Sequence, residues 1–128
     1  MLPRASRTSL IAVVDDDISV RESVESLLKS VGFQVATYSS AEEFMGSARL
    51  RAADCLVLDV RLDGMSGPDL QRELKTTGYS IPIVFVTAHE TEALRERMMT
   101  DGAIDCLLKP FTDDTLLNAV EKALGPRG

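Results

Sequence analysis

The sequence predicts an α/β fold, a doubly wound parallel five-stranded sheet of (βα)5 type that forms a three-layer sandwich with its helices. Three observations lead to this prediction. Five short apolar runs alternate with five longer amphipathic stretches. Three of the runs are apolar throughout, which is typical of parallel strands covered on both faces. With 128 residues, 45% of them hydrophobic, the chain is one domain's worth and long enough to bury a core.

Each predicted strand is one of the short apolar runs. The continuously apolar runs are the first, third and fourth, at residues 10–14, 55–58 and 83–86. The second run, at 34–37, is more polar, which indicates a sheet edge, and the fifth lies at 104–108. Such short strands separated by helical patterns predict right-handed βαβ crossovers.

Helical periodicity fills each interval between the strands. The first helix has apolar residues three and four apart over 20–31 and ends at Gly32, and the second begins with a capping-box pattern at 40–43. Ser66 opens the third helix. The fourth covers 90–101 with a thin apolar stripe, and the fifth ends before a Gly-Pro pair at 125–126.

Charge and cysteine content narrow the function classes. Fourteen basic against twenty acidic residues give a net charge of −6, which argues against a general binder of nucleic acid or membrane surfaces. No apolar run approaches the ~20 residues that cross a bilayer, so we predict no transmembrane helix. Cys55 and Cys106 lie in apolar runs and are predicted to be buried free thiols in a reducing cytosol, so a cytoplasmic chain is expected.

Polar side chains follow four of the five predicted strands. Residues 15–17 are aspartates after the first strand, Asp59 follows the third, Thr87 the fourth and Lys109 the fifth. Ligands of doubly wound folds bind at the carboxyl ends of the strands. The sequence therefore predicts that acids, a hydroxyl and an ammonium group meet at one edge of the sheet.

Such a cluster of acids is suited to a hard divalent cation. Crowded carboxylates repel one another, and Mg²⁺ prefers carboxylate, water and phosphate oxygens. A carboxylate beside Mg²⁺ can attack phosphorus, and Lys109 and Thr87 would then face the charge of the phosphoryl group. Zinc is not predicted, because His89 has no partner ligands and both cysteines lie inside strands.

Four segments at these strand ends resemble the receiver domain of bacterial two-component response regulators. They are VDDD at 14–17, DVRLDGMSG at 59–67, VTA at 86–88 and KPF at 109–111. The stretch from Arg61 to Gly67 and the KPF segment are most similar to receivers of the FixJ-like class.

The resemblance implies a flavodoxin/CheY-like sandwich with strand order 2-1-3-4-5. It covers residues 9–124, which we expect to be the receiver domain. Residues 1–8 are expected to be a flexible tail. Residues 125–128 are expected to be a tail or the start of a linker to an output domain that is absent here.

The resemblance also implies a phospho-acceptor and a metal site. Asp59 would accept the phosphoryl group. Asp15, Asp16, Asp59 and the backbone carbonyl of Arg61 would hold Mg²⁺, for which Mn²⁺ can substitute. The chain would catalyse its own phosphoryl transfer and slow autodephosphorylation without being a conventional enzyme.

Other residues are implied to act as switch or modulating groups. Thr87 would hydrogen-bond the phosphoryl group, and Lys109 would pair with its charge. The peptide bond between Lys109 and Pro110 would be cis and would aim the lysine into the site. The side chains of Arg61 and His89 would tune the lifetime of the phosphoryl group.

The implied partner is a sensor histidine kinase, whose phosphohistidine donates the phosphoryl group. Phosphorylation would shift the face made of the fourth helix, fifth strand and fifth helix, and would favour a homodimer. A first-helix/fifth-strand dimer face is the alternative. DNA would be bound through the output domain only, and a membrane not at all.

Two positions depart from the family pattern. Cys106 stands where the family usually has an aromatic side chain that follows the threonine, and it is too small for the same motion. Asp63 stands where many relatives have proline, in the loop after the acceptor.

Other function classes fit the residues less well. Arg61 stands where a small-molecule aspartyl phosphatase would need a second acid, and no phosphate-binding loop of a flavin protein follows the first strand. A stand-alone or phosphorylation-independent receiver that acts as a protein-docking module stays open as the alternative.

Overall fold

The computed structural model describes residues 9–89 and 91–125. The predicted tail at 1–8 lies outside the described residues, and so do residues 126–128 of the predicted tail at 125–128 and Glu90, the predicted first residue of the fourth helix.

Five β-α units follow one another along the described chain, as predicted. The strands are β1 (Leu10–Val14), β2 (Gln34–Tyr38), β3 (Cys55–Asp59), β4 (Ile83–Thr87) and β5 (Asp105–Leu108). The α-helices are α1 (Ile18–Ser30), α2 (Ala41–Met45), α3 (Gly67–Thr76), α4 (Glu92–Thr100) and α5 (Asp113–Leu124). A single 3-10 turn, Leu50–Ala52, precedes β3.

The five strands form one parallel sheet in the order β2-β1-β3-β4-β5, which confirms the predicted fold class and strand order. The more polar β2 lies at an edge, while β1, β3 and β4 are buried along their whole length. Because β1 and β3 are neighbours inside the sheet, the residues that follow them meet at the same place.

The core has two halves, one on each face of the sheet. Side chains alternate along a strand, so Ile11 and Val13 face α1 and α5, whereas Ala12 and Val14 face the layer of α2, α3 and α4. Both faces of the central strands are thereby covered by helices. This explains why the sequence of these strands is apolar throughout.

Polar side chains begin each helix. Asp17, Thr91 and Thr112 cap α1, α4 and α5, and Ser66 forms a reciprocal capping box with Asp69. The predicted box at α2 is only half formed. Ser40 accepts from the amide of Glu43, but the Glu43 carboxylate accepts from the amide of Ser39 instead of Ser40. The described α4 begins at Glu92, immediately after its cap.

Three strands, β2, β3 and β4, end one residue later than predicted, and two of the three extra residues belong to the site. Asp59 and Thr87 are the last residues of β3 and β4, paired in the sheet with Val86 and Leu108. The prediction ended each of these two strands at its last apolar residue, whereas the backbones of these polar residues continue the pairing of the sheet. Both side chains therefore have positions set by the sheet itself.

Candidate functional site

The carboxyl edge of the sheet brings together the predicted acidic and basic groups. Asp15 follows β1, Asp59 ends β3, and Lys109 follows β5. Ligand-binding atoms of Asp15, Asp16 and Asp59 all lie within 4.8 Å of one another. Asp15 and Asp59 are buried, whereas Asp16 is exposed. The cluster is thus open to solvent on one side.

Lys109 links the two buried carboxylates. Its Nζ lies 3.0 Å from Asp15 Oδ2 and 3.4 Å from Asp59 Oδ2. The lysine is separated from these aspartates by 94 and 50 residues in the sequence, so the contact is purely tertiary. The peptide bond between Lys109 and Pro110 is cis.

Burial and neighbouring charges shift the pKa values of Asp59 and Lys109. Burial first, and then the neighbouring Asp15 carboxylate, raise the pKa of Asp59 from 3.8 to about 6, against the opposing effects of Lys109 and the Arg61 amide. Burial alone would lower the pKa of Lys109. Its hydrogen bond and attraction to Asp15 and its contact with Asp59 outweigh burial and raise it. Lys109 therefore stays charged at neutral pH.

The residue after β1 is also held by its backbone neighbours. The Asp15 carboxylate accepts from the amide of Asp17 at 2.9 Å. The backbone carbonyl oxygen of Asp15 accepts a hydrogen bond from the guanidinium of Arg21, on α1, at 2.7 Å. Asp17 itself caps α1, because its side chain accepts from the amide of Ser19.

Thr87 is fully buried, and its hydroxyl is engaged by its own loop. Oγ1 donates to the carbonyl of His89 at 2.7 Å and accepts from the His89 amide at 3.2 Å. The His89 residue is exposed. The threonine hydroxyl is therefore satisfied, as donor and as acceptor, by the backbone of its own loop.

The loop after Asp59 folds back tightly against β3. The amide of Arg61 donates to Asp59 Oδ1 at 3.3 Å, and the Arg61 residue is exposed. The amide of Gly67 donates to the carbonyl of Val60 at 3.0 Å. A Cβ atom at Gly67 would lie 2.4 Å from the carbonyl oxygen of Asp59, so this position accepts only glycine.

Cys55 and Cys106 are buried in the core and do not belong to the acidic cluster. Both are free thiols, as predicted. Burial raises the pKa of the Cys55 thiol to about 12. Cys106 is buried with Phe85 and Met98 on the face of the sheet covered by α2, α3 and α4. Its carbonyl accepts from the guanidinium of Arg95, on α4, at 2.6 Å.

Sequence reasoning missed two residues that contact the site's backbone. Arg21 holds the carbonyl of Asp15, and Glu42 accepts from the amide of Met65 in the loop after β3. Arg21 lies on α1 only six residues from Asp15, so helix geometry offered a weak signal. The contact of Glu42 spans 23 residues and had no local signal.

The donor set fits a divalent magnesium-type ion. Three carboxylates meet one ammonium group, so the cluster is net negative when the acids are ionised. Oxygen ligands with one open, solvent-facing carboxylate are what Mg²⁺ prefers, since it keeps several waters. Within residues 9–89 and 91–125, no imidazole or thiolate belongs to this cluster.

Comparison with known proteins identifies the class. Residues 11–121 match the family model of the response regulator receiver domain. The chain therefore belongs to the response regulator receiver domain family. Receiver domains are signalling modules of two-component systems that depend on phosphorylation, so the predicted class of function is confirmed.

Individual relatives agree with this assignment. Nodulation protein W of Bradyrhizobium diazoefficiens is 46% identical over 119 residues, 93% of this chain and 52% of the relative. Transcriptional regulatory protein FixJ of the same organism is 37% identical over 114 residues, 89% of this chain and 56% of the relative. The FixJ-like resemblance is thus confirmed. The chain spans about half the length of the curated relatives it matches.

A solved structure supports the same fold. The response regulator StyR superposes with a TM-score of 0.84 at 46% identity, over 91% of this chain and 59% of that chain. Among the described residues, no helix has the length and apolar character needed to span a membrane.

Proposed function

We propose that this chain is a signalling switch that accepts a phosphoryl group on Asp59. The observation that carries the proposal is the pairing of a buried Asp59 with Asp15, Asp16 and Lys109 at one edge of the sheet. The carboxylate is oriented by the Arg61 amide at Oδ1 and by Lys109 at Oδ2. Domain limits of 9–124 are part of the proposal.

The proposed chemistry is transfer of a phosphoryl group from a phosphohistidine. A carboxylate oxygen of ionised Asp59 forms a bond to phosphorus while the phosphorus–nitrogen bond breaks. The electron pair of that bond leaves with the imidazole, which takes a proton from solvent. Lys109 faces the oxygens of the product and balances their charge, as phosphoryl transfer requires.

A divalent ion belongs to this proposal. Asp15, Asp16, Asp59 and the backbone carbonyl of Arg61 would hold Mg²⁺ or Mn²⁺. The ion would neutralise the charge that the phosphoryl oxygens and the carboxylates share. Lys109 alone leaves that charge partly uncompensated, which is the reason to include a metal.

Thr87 is proposed to carry the change to the rest of the domain. Its hydroxyl has to leave the His89 carbonyl before it can donate to a phosphoryl oxygen. Exchange of that hydrogen bond links the charge at Asp59 to the loop before α4. The shift is a change of population between two states, biased by the phosphoryl group. The exposed side chains of Arg61 and His89 are proposed to tune how long that group persists.

The family and the relatives support the proposed partners. A sensor histidine kinase is proposed as the donor, and the cytoplasm as the compartment where the two meet. FixJ is a transcriptional regulatory protein, which supports regulation of transcription through a DNA-binding domain as the output. A homodimer through the face of α4, β5 and α5 is proposed for the phosphorylated form.

Intact mass after incubation with acetyl phosphate and Mg²⁺ tests the acceptor. Wild type should gain one phosphoryl adduct that is labile to hydroxylamine. Asp59→Asn should gain none. Asp63→Asn, which removes an exposed carboxylate four positions further along the same loop, should gain the adduct like wild type.

The same experiment separates the alternatives. Continuous turnover of acetyl phosphate without an accumulating adduct would indicate a phosphatase. If folded wild type gains no adduct from acetyl phosphate or from a phosphorylated kinase, the proposal is wrong. A phosphorylation-independent docking module would then be favoured.

A further inference from the structure

Glu42 reaches from α2 to the loop that follows the proposed acceptor. We define this acceptor loop as residues 60–66, between β3 and α3. The amide of Met65 donates to Glu42 Oε2 at 2.8 Å, although the two residues are 23 positions apart. Glu42 is exposed and lies in the first turn of α2. Its carboxylate therefore serves a tertiary contact and not the core.

The acceptor loop is shaped to admit this carboxylate. Gly64 has a φ of +76°, in the left-handed region that favours glycine. A Cβ atom at Gly64 would lie 2.6 Å from Glu42 Oε2 and 3.4 Å from Oε1. The absence of a side chain at Gly64 thus lets the Glu42 carboxylate lie directly against the backbone of the loop.

The ends of the acceptor loop are held independently of Glu42. The amide of Val60 donates to the carbonyl of Val86 on β4, and Gly67 closes the loop back onto Val60. The middle of the loop is different. Among the hydrogen bonds of the described residues, the contact of Glu42 with Met65 is the one that joins residues 61–65 to an element other than β3 or α3.

We propose that Glu42 is a positioning residue for phosphoryl transfer at Asp59. It holds the middle of the acceptor loop so that the backbone of Arg61 stays against the acceptor, where its amide donates to Asp59 Oδ1. The inference rests on the proposed function, because it assigns the loop a task at the same site. Among the described residues, no hydrogen bond or ion pair joins the Glu42 side chain to Asp59 or Lys109.

A pair of substitutions separates the hydrogen bond from the charge. Glu42→Ala removes the acceptor of the Met65 amide. Glu42→Gln keeps a side-chain oxygen at the same reach and removes only the charge. Glu73→Ala is the matched control, since it removes the same charge and the same number of atoms from an exposed position on α3.

The first measurement needs no phosphorylation. Amide hydrogen exchange of Met65 in Mg²⁺-free protein should be faster in Glu42→Ala by about threefold to tenfold, the loss of one partly exposed hydrogen bond. Glu42→Gln should stay near wild type. The thermal midpoint should match that of Glu73→Ala, because the ends of the loop and the core are untouched.

The second measurement is the functional one. Phosphorylation by acetyl phosphate is followed by intact mass over a series of Mg²⁺ concentrations. In Glu42→Ala the Mg²⁺ concentration at half-maximal rate should rise, and the maximal rate should fall, each by about threefold to tenfold. Glu42→Gln should recover most of both, and Glu73→Ala should be unchanged.

Each outcome decides something. Wild-type kinetics in Glu42→Ala together with fast exchange of Met65 would overturn the positioning role and leave the contact purely structural. Equal loss in Glu73→Ala would overturn it in favour of a general charge effect. A wild-type chain that gains no adduct at all defeats the proposed function, and this inference with it.

Discussion

Asp59 is an acid whose surroundings oppose its ionisation while its proposed reaction requires it. It is buried beside a second carboxylate, and only Lys109 and one backbone amide favour its charge. Groups at functional sites often carry such unfavourable environments, because the binding partner supplies the missing compensation. The ionised Asp59 therefore lowers the free energy of unfolding, by an amount that depends on pH.

We expect Asp59→Asn to stabilise the metal-free protein at pH 7.5. The folded pKa of Asp59, about 6, exceeds the ordinary 3.8, so the folded state binds more protons than the unfolded state between these values. Wild type therefore loses stability as pH rises through this window. The gain from the substitution should be about 1–3 kcal/mol at pH 7.5 and should shrink towards pH 4.

Urea unfolding in EDTA at both pH values measures this difference. Asp63→Asn is the control, because that carboxylate is exposed. An Asn variant no more stable than wild type at pH 7.5 would contradict the unfavourable environment described for Asp59.

Gly67 gives a second prediction at the residue scale. Gly67→Ala would place a methyl group 2.4 Å from the carbonyl oxygen of Asp59 and 3.1 Å from Phe85. Neither the strand backbone nor the buried ring can yield cheaply, so we expect a loss of more than about 2 kcal/mol. Chemical denaturation measures it, with Gly46→Ala as the control at a glycine where a Cβ atom has room.

Helix α4 is held differently from the other long helices. Met98 is its one buried residue, whereas α5 buries four. Polar contacts supplement this thin packing on both sides. On one side the Gln71 amide donates to the carbonyl of Met98 at 3.2 Å, and on the other the Arg95 guanidinium donates to the carbonyl of Cys106 and pairs with Asp105. An element held by few apolar contacts is the one that can move.

We expect Arg95→Gln to loosen α4 without unfolding the domain. The arginine spans from α4 to β5, and the shorter amide cannot make both contacts. Hydrogen exchange of the α4 amides should quicken by roughly threefold to tenfold, while α1 and α5 stay protected. Arg97→Gln removes an exposed arginine from the same helix and should have little effect. If the α4 amides exchange equally slowly in Arg95→Gln and Arg97→Gln, Arg95 does not restrain the helix.

At the scale of the whole molecule, the chain carries a net charge of −6, and three of its acidic side chains meet at one edge of the sheet. Buried acids from distant parts of the chain are brought there by the parallel sheet, and one lysine does not neutralise them. The folded domain is therefore expected to be coupled thermodynamically to a divalent ion. Unfolding disperses the carboxylates and abolishes the site.

We expect Mg²⁺ to raise the thermal midpoint at pH 7.5. Binding to the folded state alone adds about 3 kcal/mol of stability at one hundred times the dissociation constant. The shift should be smaller at pH 5, where Asp59 is largely protonated because its pKa is about 6. Asp16→Asn should reduce the shift, and Asp63→Asn should keep it. Calorimetric melting with and without EDTA measures these shifts. A wild-type thermal midpoint that Mg²⁺ does not change would argue against the proposed metal site.

The sequence by itself determined the order and type of the elements. Apolar runs are continuous where helices cover both faces of a strand, and helical spacing with polar caps marks the intervals. Even the polar β2 predicted its edge position. The strand ends were less visible, because Asp59 and Thr87 continue the ladder with polar side chains.

Only the tertiary structure decided how the residues at the strand ends meet. Lys109 contacts carboxylates 94 and 50 residues away, and Glu42 accepts a hydrogen bond from the amide of Met65, 23 residues away. Distances, burial and the resulting pKa of Asp59 come from the packing of segments far apart in the chain. A sequence pattern reports local periodicity, whereas these contacts depend on how the strands, helices and loops pack together in three dimensions.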